Sequence, residues 1–154
     1  MHYFAYGSNM DIKRLRAREV SPQSRKRAAL QAHELKFNKL VSSISLNGYA
    51  NIVPRVGGIV EGVLCEITQS EIEKLDEHEG CFGPSNLRNH YDRMIVRVRL
   101  GDGSETDAET YIAAGGRTRV GLKPSREYLN CCLAGKDFLS DSYYRWLSSF
   151  ETLA

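Results

Sequence analysis

Two short stretches concentrate the residues that could do chemistry. The first is YGSN, Tyr6 to Asn9, where an apolar aromatic run stops at a glycine and a charged helical stretch begins at once. Successive backbone N–H groups at Gly7, Ser8 and Asn9, placed before the positive end of a helix, form a concavity that suits an anion. The turn has neither the lysine of a P-loop nor the three glycines of a dinucleotide site, so a small carboxylate or phosphate fits better than a nucleotide. Asn9 reads equally well as a plain helix cap. Ser8 lies outside any G-x-S-x-G context, and none of His2, His33, His78 and His90 stands in a triad pattern. Ser8 is therefore expected to donate a hydrogen bond rather than to act as a nucleophile.

The second stretch is LDEHEG, Leu75 to Gly80. Asp76 and Glu79 are three apart and share a helical face, whereas Glu77 and His78 project elsewhere. His78 cannot join the Asp76/Glu79 face without distorting the helix, so no metal site is expected. Glu79 falls in the last turn, where the negative end of the helix dipole raises a carboxyl pKa. A glutamate held that way can take a proton from an amine and return it to a leaving group. The alternative is a solvated acidic helix end. Cys65 lies in a strand pattern and Cys131 and Cys132 on a helix that needs apolar residues, so these three are expected in the core.

The elements that must position these residues follow from periodicity and punctuation. His2 to Tyr6 reads as a buried central strand, and Asn9 as the cap of a helix from Met10 to Glu19 with Ile12 and Leu15 on one face. Ala28 to Val41 alternates imperfectly and is taken as a strand. Gly48 to Pro54 and the run GGIVEGVLCEIT from Gly57 read as two further strands, joined through Pro54–Gly57. Ser70-Glu71-Ile72-Glu73 has the form of a capping box opening a helix that buries Ile72 and Leu75 and stops at Gly80. In YDRMIVRVRL, Met94, Val96, Val98 and Leu100 point inward if Arg93, Arg97 and Arg99 face water. Gly101-Asp102-Gly103 is a hairpin turn, with ETDAETYIAAG as the returning strand. Pro124-Ser125 opens a helix running to about Gly135, and a last helix spans Asp141 to Phe150. Strands and helices mix without strict alternation, which predicts an α+β fold with a mixed, strongly curved or barrel-like sheet flanked by helices.

Composition agrees with one soluble domain over residues 1–154, with 42% hydrophobic and 26% charged residues. No apolar window approaches a membrane span and no basic leader precedes one, so neither membrane nor secretion is expected. The four cysteines form no C-x-x-C pair, which favours reduced thiols in a cytoplasmic setting. Net charge is +2, but residues 1–40 carry nine Lys/Arg against three Asp/Glu. Lys13, Arg14, Arg16, Arg18, Arg25, Lys26 and Arg27 could form a phosphate-binding face. A charge run on a short helix is usually its solvated side, and no RRM, KH or zinc-finger signature accompanies this one. Nucleic acid is therefore not an expected partner.

Taken together, FAYGSN, the strand GVLCEIT ahead of a capped helix, and LDEHEG closing that helix resemble the γ-glutamylcyclotransferase-like (AIG2-like) family over most of the chain. The resemblance implies an α+β fold around a mixed barrel. It also implies cofactor-free release of 5-oxoproline from a γ-glutamyl compound, by attack of its α-amine on the γ-carbonyl. By position, Tyr6, Gly7, Ser8 and Asn9 would hold the substrate carboxylate, mainly through backbone N–H groups, and Glu79 would be the acid/base. Tyr91 and Tyr128 resemble pocket tyrosines whose hydroxyls would orient the γ-glutamyl group. One departure stands out: CFGPSNLRNH, Cys81 to His90, is longer than the family's usual connection and is expected to help define the leaving group. The loop at Gly115–Lys123 is the other expected lid. A pocket of the same kind without turnover, a γ-glutamyl binding or regulatory module, is the alternative, and a proton carrier at Glu79 is what separates the two.

Overall fold

The longest elements make one hairpin that supplies most of the sheet. In a computed structural model describing residues 1–154, β2 (Ser24–Leu40) and β3 (Gly48–Glu66) pair antiparallel from Ser24↔Glu66 to Leu40↔Gly48. The two strands expected on either side of Pro54–Gly57 are thus a single strand. The punctuation there marks a register irregularity, where Ala32 (φ 59°) faces the excess residues between Pro54 and Ile59 and the ribbon bends.

The remaining strands close the sheet in the order β1-β3-β2-β4-β5. β1 (His2–Ala5) lies antiparallel against β3, and the hairpin of β4 (Tyr91–Leu100) and β5 (Glu105–Ala113) forms as the Gly-Asp-Gly turn predicts. Closure needs two short seams: β2 meets β4 at Ala28 and Ala29, and β1 meets β5 in parallel at Tyr3↔Glu109. The Thr110 hydroxyl, itself buried, ties the second seam by donating to the Phe4 carbonyl at 2.8 Å. The result is the mixed barrel of an α+β fold, with Phe4, Val60, Val63 and Val98 in its core. Met94 is 49% exposed rather than inward, and Arg93 is turned to Asp76 and Glu109 instead of to water. Strand twist carries that end of β4 past the core.

Four helices flank the barrel: α1 (Ile12–Ala17), α2 (Gln69–Glu79), α3 (Arg126–Leu133) and α4 (Asp141–Ser148). The cap of α2 is Thr68, two residues before the expected Ser70. Its hydroxyl accepts from Glu71 N–H at 3.2 Å, and the Glu71 carboxylate accepts from Thr68 N–H at 2.9 Å. Ser70 and Glu73 therefore sit inside the helix. Ile72 and Leu75 are fully buried as expected, each worth about 1.5–3 kcal/mol. Gly80 stops the helix in left-handed backbone, φ 66°. No helix is long and apolar enough to cross a membrane.

Candidate active site

β1 delivers the YGSN turn into the interior, where Ser8 and Asn9 are buried. Residues Ser8–Met10 form a single 3₁₀ turn, and the α-helix starts only at Ile12 with Asp11 as its cap. Asn9 is therefore not the cap, and the first residue of α1 follows it by three positions. What remains for an anion is the backbone itself: the N–H groups of Gly7, Ser8 and Asn9 find no backbone acceptor. Close approach requires glycine at position 7, since a Cβ there would lie 2.9 Å from Ala50 Cβ.

The Asn9 side chain instead joins three elements. Its Nδ2 donates to the Tyr3 hydroxyl at 2.9 Å and to Glu79 Oε1 at 3.0 Å, and its Oδ1 accepts from the Arg18 guanidinium at 3.0 Å. Arg18 completes the triangle with an ion pair to the same Glu79 Oε1 at 3.2 Å, both side chains being 15% exposed. Glu79 thus has one oxygen held by two donors, while no protein group donates to Oε2. Arg18, at the end of α1, thus sets a positive charge against the carboxylate that closes α2.

Glu79 and the turn share one small cavity, of about 30 Å³, with Tyr3, Tyr6, Ala50, Tyr91, Tyr111 and Tyr128. All seven residues singled out from the sequence line it: Tyr6, Gly7, Ser8, Asn9, Glu79, Tyr91 and Tyr128. Tyr3 and Tyr111 are additional. They lie in the apolar run His2–Tyr6 and in the returning strand ETDAETYIAAG, where nothing local distinguishes packing from lining. Arg18 was visible only as one member of a basic run.

The tyrosines are not equivalent. Burial raises the hydroxyl pKa of Tyr3, Tyr6, Tyr91, Tyr111 and Tyr128 well above the ordinary value, and the charge of Glu79 adds to this, so all five stay protonated. Tyr6 gives its proton to the Tyr111 carbonyl, Tyr111 to Asp76 at 2.7 Å, and Tyr91 to the Ala50 carbonyl at 2.7 Å. Tyr128 and Tyr3 only accept, from Ala50 N–H at 3.0 Å and from Asn9, so their own protons are free to point into the cavity. Tyr91, expected to orient a ligand through its hydroxyl, has that proton engaged by the Ala50 carbonyl, while the Tyr128 hydroxyl holds the N–H of the same residue. Asp76, on the Glu79 face of α2, anchors Tyr111 and pairs with Arg93 at 3.5 Å rather than entering the cavity.

Outward from this cavity lies a chamber of about 370 Å³, which shares Ser8, Glu79, Tyr91 and Tyr128 with it. Phe82 and His90, from the segment Cys81–His90, form part of its wall. That segment is folded on the buried Asn89, whose side chain accepts from Phe82 N–H at 2.6 Å and donates to the Gly83 carbonyl and to Asp92, each at 2.9 Å. The Gly115–Lys123 loop, expected as a lid, lines neither space. It packs along the end of β2, with Arg119 donating to the Ser43 and Ser45 carbonyls.

Other candidates find structural uses. Cys65 and Cys132 are buried and free, with burial pushing the Cys65 thiol up to about 11 and the Cys132 thiol higher. Neither is a ready nucleophile. Within the basic run, Arg25 donates to the Met10 carbonyl and lies over Phe138, and Arg27 reaches the Asp137 and Leu139 carbonyls. No three His, Cys, Asp or Glu side chains come together as metal ligands would.

A mixed barrel that encloses unpaired backbone donors, neutral tyrosines and one carboxylate offers a lining suited to a small polar molecule. Comparison with known proteins gives the chain its family. The model of the family described as gamma-glutamyl cyclotransferase, AIG2-like, matches residues 3–130, and the chain belongs to this family of cyclotransferase enzymes. Proteins named gamma-glutamylcyclotransferase from Mus musculus and Homo sapiens are each 29% identical over 154 residues, covering 97% of this chain and 78% of theirs. A solved structure of a gamma-glutamyl cyclotransferase superposes with a TM-score of 0.82 at 26% identity, covering 99% of this chain and 89% of that one.

Proposed function

We propose that the protein releases 5-oxoproline from a γ-glutamyl amino acid, peptide or amine, with Glu79 as general acid/base. The observation that carries this reading is that Glu79 is the single carboxyl group in the lining of the inner cavity and keeps Oε2 free of protein donors. The unpaired N–H groups of Gly7, Ser8 and Asn9 would hold the substrate carboxylate, so that its α-amine lies about 3–3.5 Å from its own γ-carbonyl. Nitrogen attacks, and Glu79 takes the proton that the amine loses. The free hydroxyl protons of Tyr128 and Tyr3 are the side-chain donors available to the oxyanion. As the intermediate collapses, the C–N bond to the leaving amine breaks and protonated Glu79 delivers its proton to that nitrogen. One C–N bond forms and one breaks, so no external nucleophile is consumed.

The test is to incubate the purified protein with γ-glutamyl amino acids, small γ-glutamyl peptides and γ-glutamylamines and to quantify 5-oxoproline. Glu79→Gln keeps the shape of the side chain and is expected to lower kcat at least about a hundredfold. Turnover that survives this substitution would remove Glu79 from the mechanism. Absence of 5-oxoproline from every compound would favour the non-catalytic γ-glutamyl binding module.

A further inference from the structure

The outer chamber contains a charge that the proposed chemistry does not use. Lys39, on β2, is 3% exposed, yet no carboxylate lies within 4.0 Å of its ammonium, in contrast to Arg18 across the chamber, which is paired with Glu79. Its Nζ sits 3.2 Å from His90 Nδ1 and is placed over the rings of Tyr91 at 5.1 Å and Tyr49 at 5.9 Å. Aromatic faces and an imidazole lessen the cost of burying an ammonium without cancelling it, because a buried charge is ordinarily matched by an opposite one. A lysine serving only to cover apolar surface would reach its charged end into water, which 3% exposure does not allow. Arg14, on the same wall, likewise has no carboxylate partner, and its Nε is buried without a hydrogen bond. Glu77, exposed at the rim, is the chamber's one unpaired carboxylate. The interior of the chamber therefore holds uncompensated positive charge.

The position of that charge gives it a meaning. The chamber and the inner cavity meet at Ser8, Glu79, Tyr91 and Tyr128, so a substrate whose γ-carbonyl is at Glu79 extends its leaving amine outward, toward Lys39. We propose that the buried, unpaired ammonium of Lys39 facing the outer chamber is the specificity-determining group for the leaving amine, and that this amine carries a carboxylate. The substrate class is then a γ-glutamyl amino acid or γ-glutamyl peptide, as against a γ-glutamyl derivative of a neutral or cationic amine. This rests on the cyclotransferase reading above and narrows its substrate. A cationic leaving group would meet Lys39 and Arg14 as like charges in a partly dry space, where repulsion is strong. A carboxylate would complete the missing ion pair, and the rings of Tyr49 and Tyr91 would fix the height of the ammonium.

The test compares γ-glutamyl-alanine with γ-glutamyl-alaninamide, which differ only in the carboxylate, by the ratio of their kcat/KM values for 5-oxoproline release. The wild-type ratio is expected to favour the carboxylate at least about tenfold, the scale of one charge-assisted hydrogen bond. Lys39→Met should bring the ratio close to one, mainly through KM, while Lys39→Arg should retain most of the preference. A thermal melt of each variant establishes that it is folded, and the wild-type ratio stands by itself if Lys39→Met does not fold. An active wild-type enzyme that prefers the amide, or treats both alike, overturns the proposal. So does a Lys39→Met variant that slows both substrates by the same factor. Failure of the cyclotransferase reading has a different signature, no 5-oxoproline from either compound, and takes this inference with it.

Discussion

Replacing Asn9 separates the two roles that its sequence position allows. As a helix cap, Asn9 would be worth about 1 kcal/mol, Asp would serve equally well, and neither Asn9→Ala nor Asn9→Asp would alter turnover directly. As the observed hub, Asn9→Ala removes a neutral hydrogen bond to Tyr3 and two charge-assisted ones, to Glu79 at 3.0 Å and from Arg18 at 3.0 Å. Taken singly these are worth about 0.5–1.5 and about 1.5–3 kcal/mol respectively. They share one network and the Arg18–Glu79 contact at 3.2 Å survives, so the expected loss is about 2–4 kcal/mol rather than their sum. For a chain of this size that is a fall in Tm of about 5–15 °C. Glu79 also loses one of the two donors that fix its carboxylate, and kcat should fall about ten- to a hundredfold with a smaller change in KM, as for a misplaced catalytic group. Asn9→Asp is the sharper variant: it keeps the capping oxygen, cannot donate to Glu79, and places a second negative charge beside it. Thermal melts with steady-state 5-oxoproline assays read both effects. A Tm within about 4 °C of wild type for Asn9→Asp, with kcat within about twofold, would refute the hub.

Gly7→Ala places a carbon 2.9 Å from Ala50 Cβ, against a normal separation of about 3.5–4.0 Å, so one of the two must move. Ala50 is clasped by Tyr91 and Tyr128, and the expected outcome is about 1–3 kcal/mol of destabilisation with a raised KM, read by melt and kinetics. Lys39 supplies a pH signature. Burial, then the field of Arg117, pushes its ammonium down to about 8 from an ordinary 10.5, while Glu79 opposes the shift and His90 lies in contact. Between these values the unfolded chain binds more protons at this site than the folded one, so its contribution to stability rises with pH from about 8 to 10.5. Buried cysteine thiols such as Cys65 and Cys132 and the buried tyrosines, held above their ordinary values, pull stability the other way in this window but are common to both proteins, so denaturant titrations should show a more positive slope of stability against pH in wild type than in Lys39→Met; equal slopes in both would contradict the burial of this charge.

Much of the local structure was legible in the residues. Alternation and a Gly-Asp-Gly turn specify the β4–β5 hairpin, and a left-handed glycine ends α2 where Gly80 stands, because these signals act within a few residues. Capping was legible in kind and misplaced in position: Thr68-x-x-Glu71 and Ser70-x-x-Glu73 have the same form, and only the end of β3 at Glu66 leaves Thr68 in the extended backbone that a cap needs. The apolar run on either side of Pro54–Gly57 hid one long strand, because a bulge and a turn carry the same punctuation. The loop at Gly115–Lys123 had the composition of a lid but packs along β2, since composition does not say which end of a barrel a loop covers.

The chemical types at the site came from the sequence alone: a glycine turn with free amides, a glutamate at a helix end, and tyrosines near both. Their division of labour did not. Asn9 meets Glu79, 70 residues away, because β1 enters the sheet beside β3 and β3 leads directly into α2. Barrel closure through β5 brings Tyr111 against Tyr3 and Tyr6, and Ala50, beside a second register irregularity between Lys36 and Lys39, sits between Tyr91 and Tyr128. Which hydroxyl protons are used and which stay free, and whether a lysine ends in water or under tyrosine rings, depend on groups far apart along the chain. Short-range patterning fixes the elements and the kinds of residue they carry; only closure of the sheet decides which of those residues face one another across a space too small for solvent to compensate their charges.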